Sequence, residues 1–153
     1  MHGQRSYFED FYLGQRFSFG EYLMTEDEIV EFAAKFDPQY FHMDPERALE
    51  SPLGCLCASG LHTLSAVQRL NVDNLYNKIH LVAGRGINNL SLLQPVVPGD
   101  RISVKLQITK LKAYNKLGHG LVGAKCIAFN QRDEMLAKMD VEFVVLLQPH
   151  NGV

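Results

Sequence analysis

Between Arg101 and Thr109 apolar and polar residues alternate without a break. Ile102, Val104, Leu106 and Ile108 stand against Arg101, Ser103, Lys105, Gln107 and Thr109. A period of two puts the four apolar side chains on one face of a strand, so the stretch demands a sheet that is half buried. Ala137, Met139, Val141, Phe143 and Val145 repeat the pattern against Lys138, Asp140 and Glu142. A chain built this way needs an apolar element to lie on that sheet.

The cover lies upstream, where the periodicity is helical. Thr25 through Glu28 matches a capping box, with Thr25 as N-cap and Glu28 reaching back to it. Ile29, Phe32, Ala33 and Phe36 then predict a helix over 26–36 that stops at Asp37-Pro38. Asp44-Pro45 starts a short helix to about Glu50, and Ser51-Pro52-Leu53-Gly54 breaks it. Ser59 is the N-cap of a helix over 60–70, extending towards Leu75, whose Leu61, Leu64, Ala66, Val67 and Leu70 cover enough of its surface for burial. Further strands are expected at 17–19, 80–84, 87–93 and 121–129, the two in the middle separated by Gly84-Arg85-Gly86. Ala124, Cys126 and Ala128 give one of them a small-residue face on which a helix can sit closely. Helices followed by antiparallel-type strands make an α+β chain, most economically a curved sheet wrapped around the helix of residues 60–75.

Composition narrows the class. With 153 residues, 46% of them hydrophobic, the expectation is one domain over 1–153 with a substantial core. Charged residues are 21% and the net charge is −2, so no bulk field recruits nucleic acid or an anionic membrane. The longest apolar run, Phe143 to Leu147, is far too short to span a bilayer. The polar, aromatic N-terminus lacks the apolar core of a signal peptide, and three cysteines fit a reducing compartment. The expected location is cytoplasmic. Cys55-x-Cys57 has the wrong spacing for zinc, and Gly84-Arg85-Gly86 lacks the third glycine of a dinucleotide loop, so no metal is expected.

The chemistry concentrates in Asp37-Pro38-Gln39-Tyr40-Phe41-His42, a turn that the X-Pro step keeps out of helix, followed by Ala58-Ser59-Gly60 at a helix start. Taken singly, Asp37 reads as a helix-end turn residue, His42 as a structural histidine and Gly60 as a close-packing glycine. Ser59 is a cap, since no Gly-x-Ser-x-Gly elbow surrounds it, and His62 faces its helix neighbours. Together they supply a carboxylate, an imidazole and a backbone N–H of the kind acid/base catalysis beside an oxyanion site requires.

These residues, with Tyr7-Phe8-Glu9-Asp10, Leu13-Gly14-Gln15, His42-Met43-Asp44-Pro45 and Pro95…Pro98-Gly99-Asp100, resemble the MaoC-like dehydratases, the hotdog-fold group that contains the R-specific enoyl-CoA hydratases. The resemblance runs from about Tyr7 to Leu147. It implies a hotdog domain and a hydro-lyase acting on acyl-CoA in fatty acid metabolism. Asp37 would take a proton from water that His42 orients, and the Gly60 N–H would hold the thioester oxygen. Ser59, Gln39, Tyr40 and Phe41 would line the substrate site. Gln39 and Tyr40 stand where the family usually has Asn and Pro, which bears on the acyl preference. No separate cofactor is implied, since coenzyme A belongs to the substrate. Arg85, Arg101, Lys105, Lys110 and Lys112 are the basic candidates for its phosphates. The family also implies a homodimer or a dimer of dimers. The rival functions are a hotdog acyl-CoA thioesterase, disfavoured because residues 60–72 contain no Asp or Glu, and a non-catalytic acyl-thioester-binding subunit.

Overall fold

The alternating segments fold as the inner strands of a five-stranded antiparallel sheet. The computed structural model describes residues 3–150; residues 1, 2 and 151–153, which the one-domain reading and the aromatic lead-in included, lie outside the described residues. After a 3-10 turn at Phe8–Asp10 the chain forms β1 (Arg16–Leu23), α1 (Glu26–Phe36), the single turns α2 (Tyr40–Met43) and α3 (Pro45–Ala48), and the long helix α4 (Gly60–Asn74). Then come β2 (Leu81–Leu92), β3 (Arg101–Tyr114), β4 (His119–Phe129) and β5 (Met135–Leu146). The sheet order is β1-β3-β4-β5-β2.

The four β3 residues Ile102, Val104, Leu106 and Ile108 are fully buried, and Ala137, Met139, Phe143 and Val145 of β5 lie on the same inner face. β4 supplies Ala124, Cys126 and Ala128, all buried. Their small size lets α4 come near enough for Asn71 Nδ2 to lie 3.9 Å from Cys126 Sγ. The buried residues of α4 are Ala66, Val67 and Leu70 together with His62, Thr63 and Asn71. Leu61, expected in the buried set, is 57% exposed. The buried stripe follows the 3.6-residue period through 62/63, 66/67 and 70/71, and position 61 falls outside it.

Two further expectations are corrected. Gly84-Arg85-Gly86 does not separate two strands: β2 pairs with β5 from Leu81 to Leu92 and absorbs the glycines as a register shift. A bulge of this kind bends a strand without ending it. Pro38 does not keep the following segment out of helix either, because one helical turn begins at Tyr40. None of the described helices is long and apolar enough to cross a membrane.

Phe8 packs on Gly120 so closely that a Cβ there would overlap the ring. Gly120→Ala is therefore expected to destabilise the protein by about 1–3 kcal/mol through overpacking, read as a lowered urea midpoint with an unchanged slope.

Candidate active site

α1 ends because residue 37 precedes a proline, which disfavours helical backbone there. Asp37 sits at φ −151°, ψ 69°, still donating its N–H to Ala33 O at 2.8 Å. The chain turns at once, with Gln39 N–H donating to Asp37 O at 2.7 Å, and α2 carries His42 back towards the helix end. Asp44 then caps α3, its Oδ1 accepting from the N–H groups of Glu46 and Arg47 at 3.1 Å each. The segment leading to α4 is pinned on both sides: Cys57 N–H donates to Phe41 O at 3.1 Å and Ala58 N–H to Val96 O at 2.8 Å. That last bond ties in the Pro95–Asp100 turn, in which Asp100 Oδ2 accepts from Val97 N–H at 3.0 Å.

This scaffold brings Asp37, His42, Ser59 and Gly60 together. Ser59, wholly buried, caps α4 by accepting from Leu61 N–H at 3.3 Å, and its hydroxyl donates to Asp37 Oδ2 at 2.7 Å. Gln39 Nε2 donates to the other carboxylate oxygen at 2.8 Å. These two donors, Ser59 first and Gln39 second, hold the Asp37 carboxyl below its ordinary range, with a smaller pull from His42. His42 Nε2 lies 3.6 Å from Asp37 Oδ2. Its Nδ1 lies 2.6 Å from the Cys57 carbonyl oxygen, which can only accept, so Nδ1 carries a proton. In the neutral ring Nε2 therefore turns a lone pair towards the carboxylate.

Gly60 is the first residue of α4, and its N–H has no acceptor among the described residues. A Cβ on Gly60 would overlap Leu92 Cδ1 from β2, so close packing and a free N–H coincide at this position. A cavity of about 270 Å³ opens on the Gly60 side, lined by Gly60, Cys57, Ala58, Thr63 and Leu92 among others, with Asp37 and His42 outside its lining. Phe41 packs on the dyad, edge-on to the His42 ring at 4.5 Å, while Tyr40 packs on Phe41 and lies under the Arg47 guanidinium at 5.0 Å. The basic candidates do not converge. Arg101 pairs with Glu21 at 3.2 Å and Lys110 with Glu142 at 3.6 Å, while Lys105 and Lys112 lie over Phe129 and Tyr114. Arg85 lines a separate cavity of about 510 Å³ between α4 and β2. No cluster of three or more His, Cys, Asp or Glu residues suited to a metal ion occurs among the described residues.

A family model for the MaoC like domain matches residues 11–128. The chain belongs to the MaoC-like dehydratase family. Its fold is the hotdog fold that the resemblance implied. A MaoC-like dehydratase of Rhodospirillum rubrum superposes with a TM-score of 0.84 at 32% identity, covering 94% of this chain and 99% of that one. The unliganded R-hydratase PhaJ1 of Pseudomonas aeruginosa shares the fold at 18% identity, with a TM-score of 0.74 over 98% of this chain and 96% of the other. Among relatives by sequence, the uncharacterized protein YdeM of Bacillus subtilis is 29% identical over 82% of this chain and 88% of its own length. The 3-hydroxyacyl-thioester dehydratase Z of Mycobacterium tuberculosis is 34% identical over 66% of each chain. This MaoC-like chain thus spans a little under two thirds of that dehydratase.

Sequence reasoning did not reach the donors that set Asp37. Ser59 was visible as a cap, but nothing local signals that its hydroxyl points across to another helix, and the Cys57 carbonyl leaves no trace in sequence. In the MaoC-like chain Ser59→Ala removes both functions. Its cap loss costs about 1 kcal/mol at any pH. A carboxyl depressed in the folded state adds stability that is present above its unfolded pKa of about 3.9 and fades as pH falls through the folded value. The Ser59→Ala penalty in urea denaturation is therefore expected to be larger at pH 7 than at pH 3.

Proposed function

We propose that this chain adds water to trans-2-enoyl thioesters, coenzyme A esters first among them, giving (R)-3-hydroxyacyl thioesters, or runs the reverse dehydration. The observation that carries the reading is the pairing of two proton acceptors, Asp37 Oδ2 and His42 Nε2, 3.6 Å apart beside the free Gly60 N–H. Two lone pairs facing each other repel unless hydrogens lie between them, and one water molecule has two hydrogens to give. A water so held presents its oxygen to C3 of the enoyl group while the Gly60 N–H, at the positive end of α4, takes the thioester oxygen as enolate charge develops.

As the water oxygen bonds to C3, the O–H electrons stay with oxygen and the proton passes to the dyad, then to C2. Asp37 is made a weak base by Ser59 and Gln39, and this favours His42 Nε2 as the acceptor. The fixed carboxylate orients the water and stabilises the imidazolium. That division of labour inverts the one the resemblance implied. Gln39 and Ser59 act through Asp37, and Phe41 acts by packing on His42. The thioesterase alternative wants a carboxylate on the substrate side of the central helix, whereas the acid within α4 is Asp73 at its far end, paired with Arg69 at 2.7 Å.

Crotonyl-CoA and longer or branched enoyl-CoAs are expected to lose their enone absorbance with the protein, with R product by chiral analysis. Asp37→Asn and His42→Ala are each expected to lower kcat roughly 10²–10⁴-fold. Normal turnover by a folded Asp37→Asn protein would sink the mechanism. Release of free thiol would favour the thioesterase, and tight acyl-CoA binding without any turnover would favour the binding subunit.

The assembly belongs to the same proposal. β2 is an edge strand whose Val82 and Ile87 are each 51% exposed and Leu92 56%, an apolar row with unpaired backbone. A second copy pairing there would cover it, so sedimentation is expected to give the mass of two chains or of four.

A further inference from the structure

Outside the dyad, three polar side chains meet where β1, α1 and α4 join. Tyr22 lies just past the register shift in the pairing of β1 with β3. Its hydroxyl donates to Oε1 of Glu28, in the first turn of α1. The same oxygen lies 3.1 Å from Nε2 of His62, in the first turn of α4. The expected capping box is thus only half made. Thr25 accepts from Glu28 N–H at 3.2 Å, but the Glu28 carboxylate turns away from the cap to two side-chain donors.

His62 is 2% exposed and lies flat on Phe32, with ring centroids 4.6 Å apart and 7° between planes. Its Nδ1 is buried without a partner among the described residues. The Glu28 oxygen accepts, so Nε2 carries the hydrogen aimed at it, and the ring's other nitrogen makes no bond that would hold it elsewhere. The cation nearest the group along α4, Arg69, is committed to Asp73 at 2.7 Å.

What the trio does is join α1 to α4. The same two helices meet again at the candidate site, where Asp37 caps the end of α1 and Ser59 the start of α4. Glu28 and Asp37 are about 13 Å apart along α1 at 1.5 Å per residue, while His62 is within a turn of Ser59 and Gly60. A small tilt of α1 on α4 is therefore levered into the Ser59–Asp37 spacing, and a hydrogen bond of 2.7 Å does not survive a displacement of about 1 Å. We propose that Tyr22, Glu28 and His62 form a positioning clamp that fixes α1 against α4 and so holds the Ser59 hydroxyl and the Gly60 N–H in place beside Asp37 and His42. None of the three touches the reacting atoms. The kinetic part of this proposal rests on the hydratase reading; the structural part does not.

The test is the Asp37 titration followed by carbon NMR of its carboxyl, alongside thermal midpoints and, on crotonyl-CoA, kcat and KM. His62→Phe keeps a ring on Phe32 but loses the N–H, Glu28→Ala removes the shared acceptor, and Glu28→Gln keeps an acceptor oxygen. Val122→Ala, in the buried face of β4, serves as a control for stability alone. In His62→Phe and Glu28→Ala, Asp37 is expected to titrate at higher pH, towards its position in Ser59→Ala, with kcat down on the order of 10-fold to 10²-fold and KM little changed. Glu28→Gln should stay with the wild type, and Val122→Ala should lower the midpoint without moving Asp37. If His62→Phe and Glu28→Ala do not fold, Tyr22→Phe decides, with a smaller upward shift expected. An Asp37 titration unmoved in the folded variants, or moved equally by Val122→Ala, would overturn the clamp. A wild-type protein inert on every enoyl thioester would instead remove the hydratase reading and leave the NMR result standing.

Discussion

The hydrogen bond from Ser59 Oγ to Asp37 Oδ2 joins the C-terminus of one helix to the N-terminus of another, and the candidate site exists because of it. Ser59 uses both sides of its hydroxyl, one as donor to the carboxylate and one as acceptor for the first turn of α4. A bond to a charged group is worth about 1.5–3 kcal/mol in net terms, and this one is buried on the serine side. It also sets the electrostatics, since the serine hydroxyl is the largest influence keeping Asp37 ionised. Helix register and carboxylate chemistry are thus controlled by the same oxygen atom.

The long central helix is the second constraint. A helix lying in a curved sheet ordinarily turns an apolar face to it, but α4 buries His62, Thr63 and Asn71 as well as Ala66, Val67 and Leu70. Buried polar groups are costly unless paired. His62 is paired through Glu28, and Asn71 reaches only a cysteine sulfur and leaves its Oδ1 without a partner among the described residues. The small side chains of β4 make the close approach possible. Apolar volume comes from Phe143 of β5, which meets Phe11 of the N-terminal segment edge-on at 6.0 Å and Tyr76, just after α4, at 5.1 Å.

The candidate dyad shows a trade between charge and basicity. Donors that keep a carboxylate ionised also make it reluctant to take a proton. His42, with Nδ1 fixed on the Cys57 carbonyl, keeps Nε2 open towards the carboxylate. On the proposed hydratase reading, the two tasks would fall to different residues, the anion holding the water and the imidazole taking its proton.

Much of this was legible in the chain itself. The helix 26–36 was predicted at both ends, because Thr25 is a local cap and Pro38 a local stop, and each acts on its own neighbours. The strict alternation in 101–109 and 137–145 marked the buried faces, because strand geometry has a fixed period of two. The spacing of Asp37, His42 and Ser59-Gly60 singled these residues out through family resemblance, and the fold brings them together at the candidate site. Tertiary structure decided the rest. Glu28 left its expected capping role because two donors from other elements reach it, and Gly84-Arg85-Gly86 became a bulge because β5 runs past it without interruption. Leu61 was left in water because the direction of α4 is set by what the sheet accepts, and the Cys57 carbonyl became the partner of His42 only through folding. Local rules fix where elements begin and which face is apolar; long-range packing alone decides which polar atoms from different elements come within 3 Å of one another.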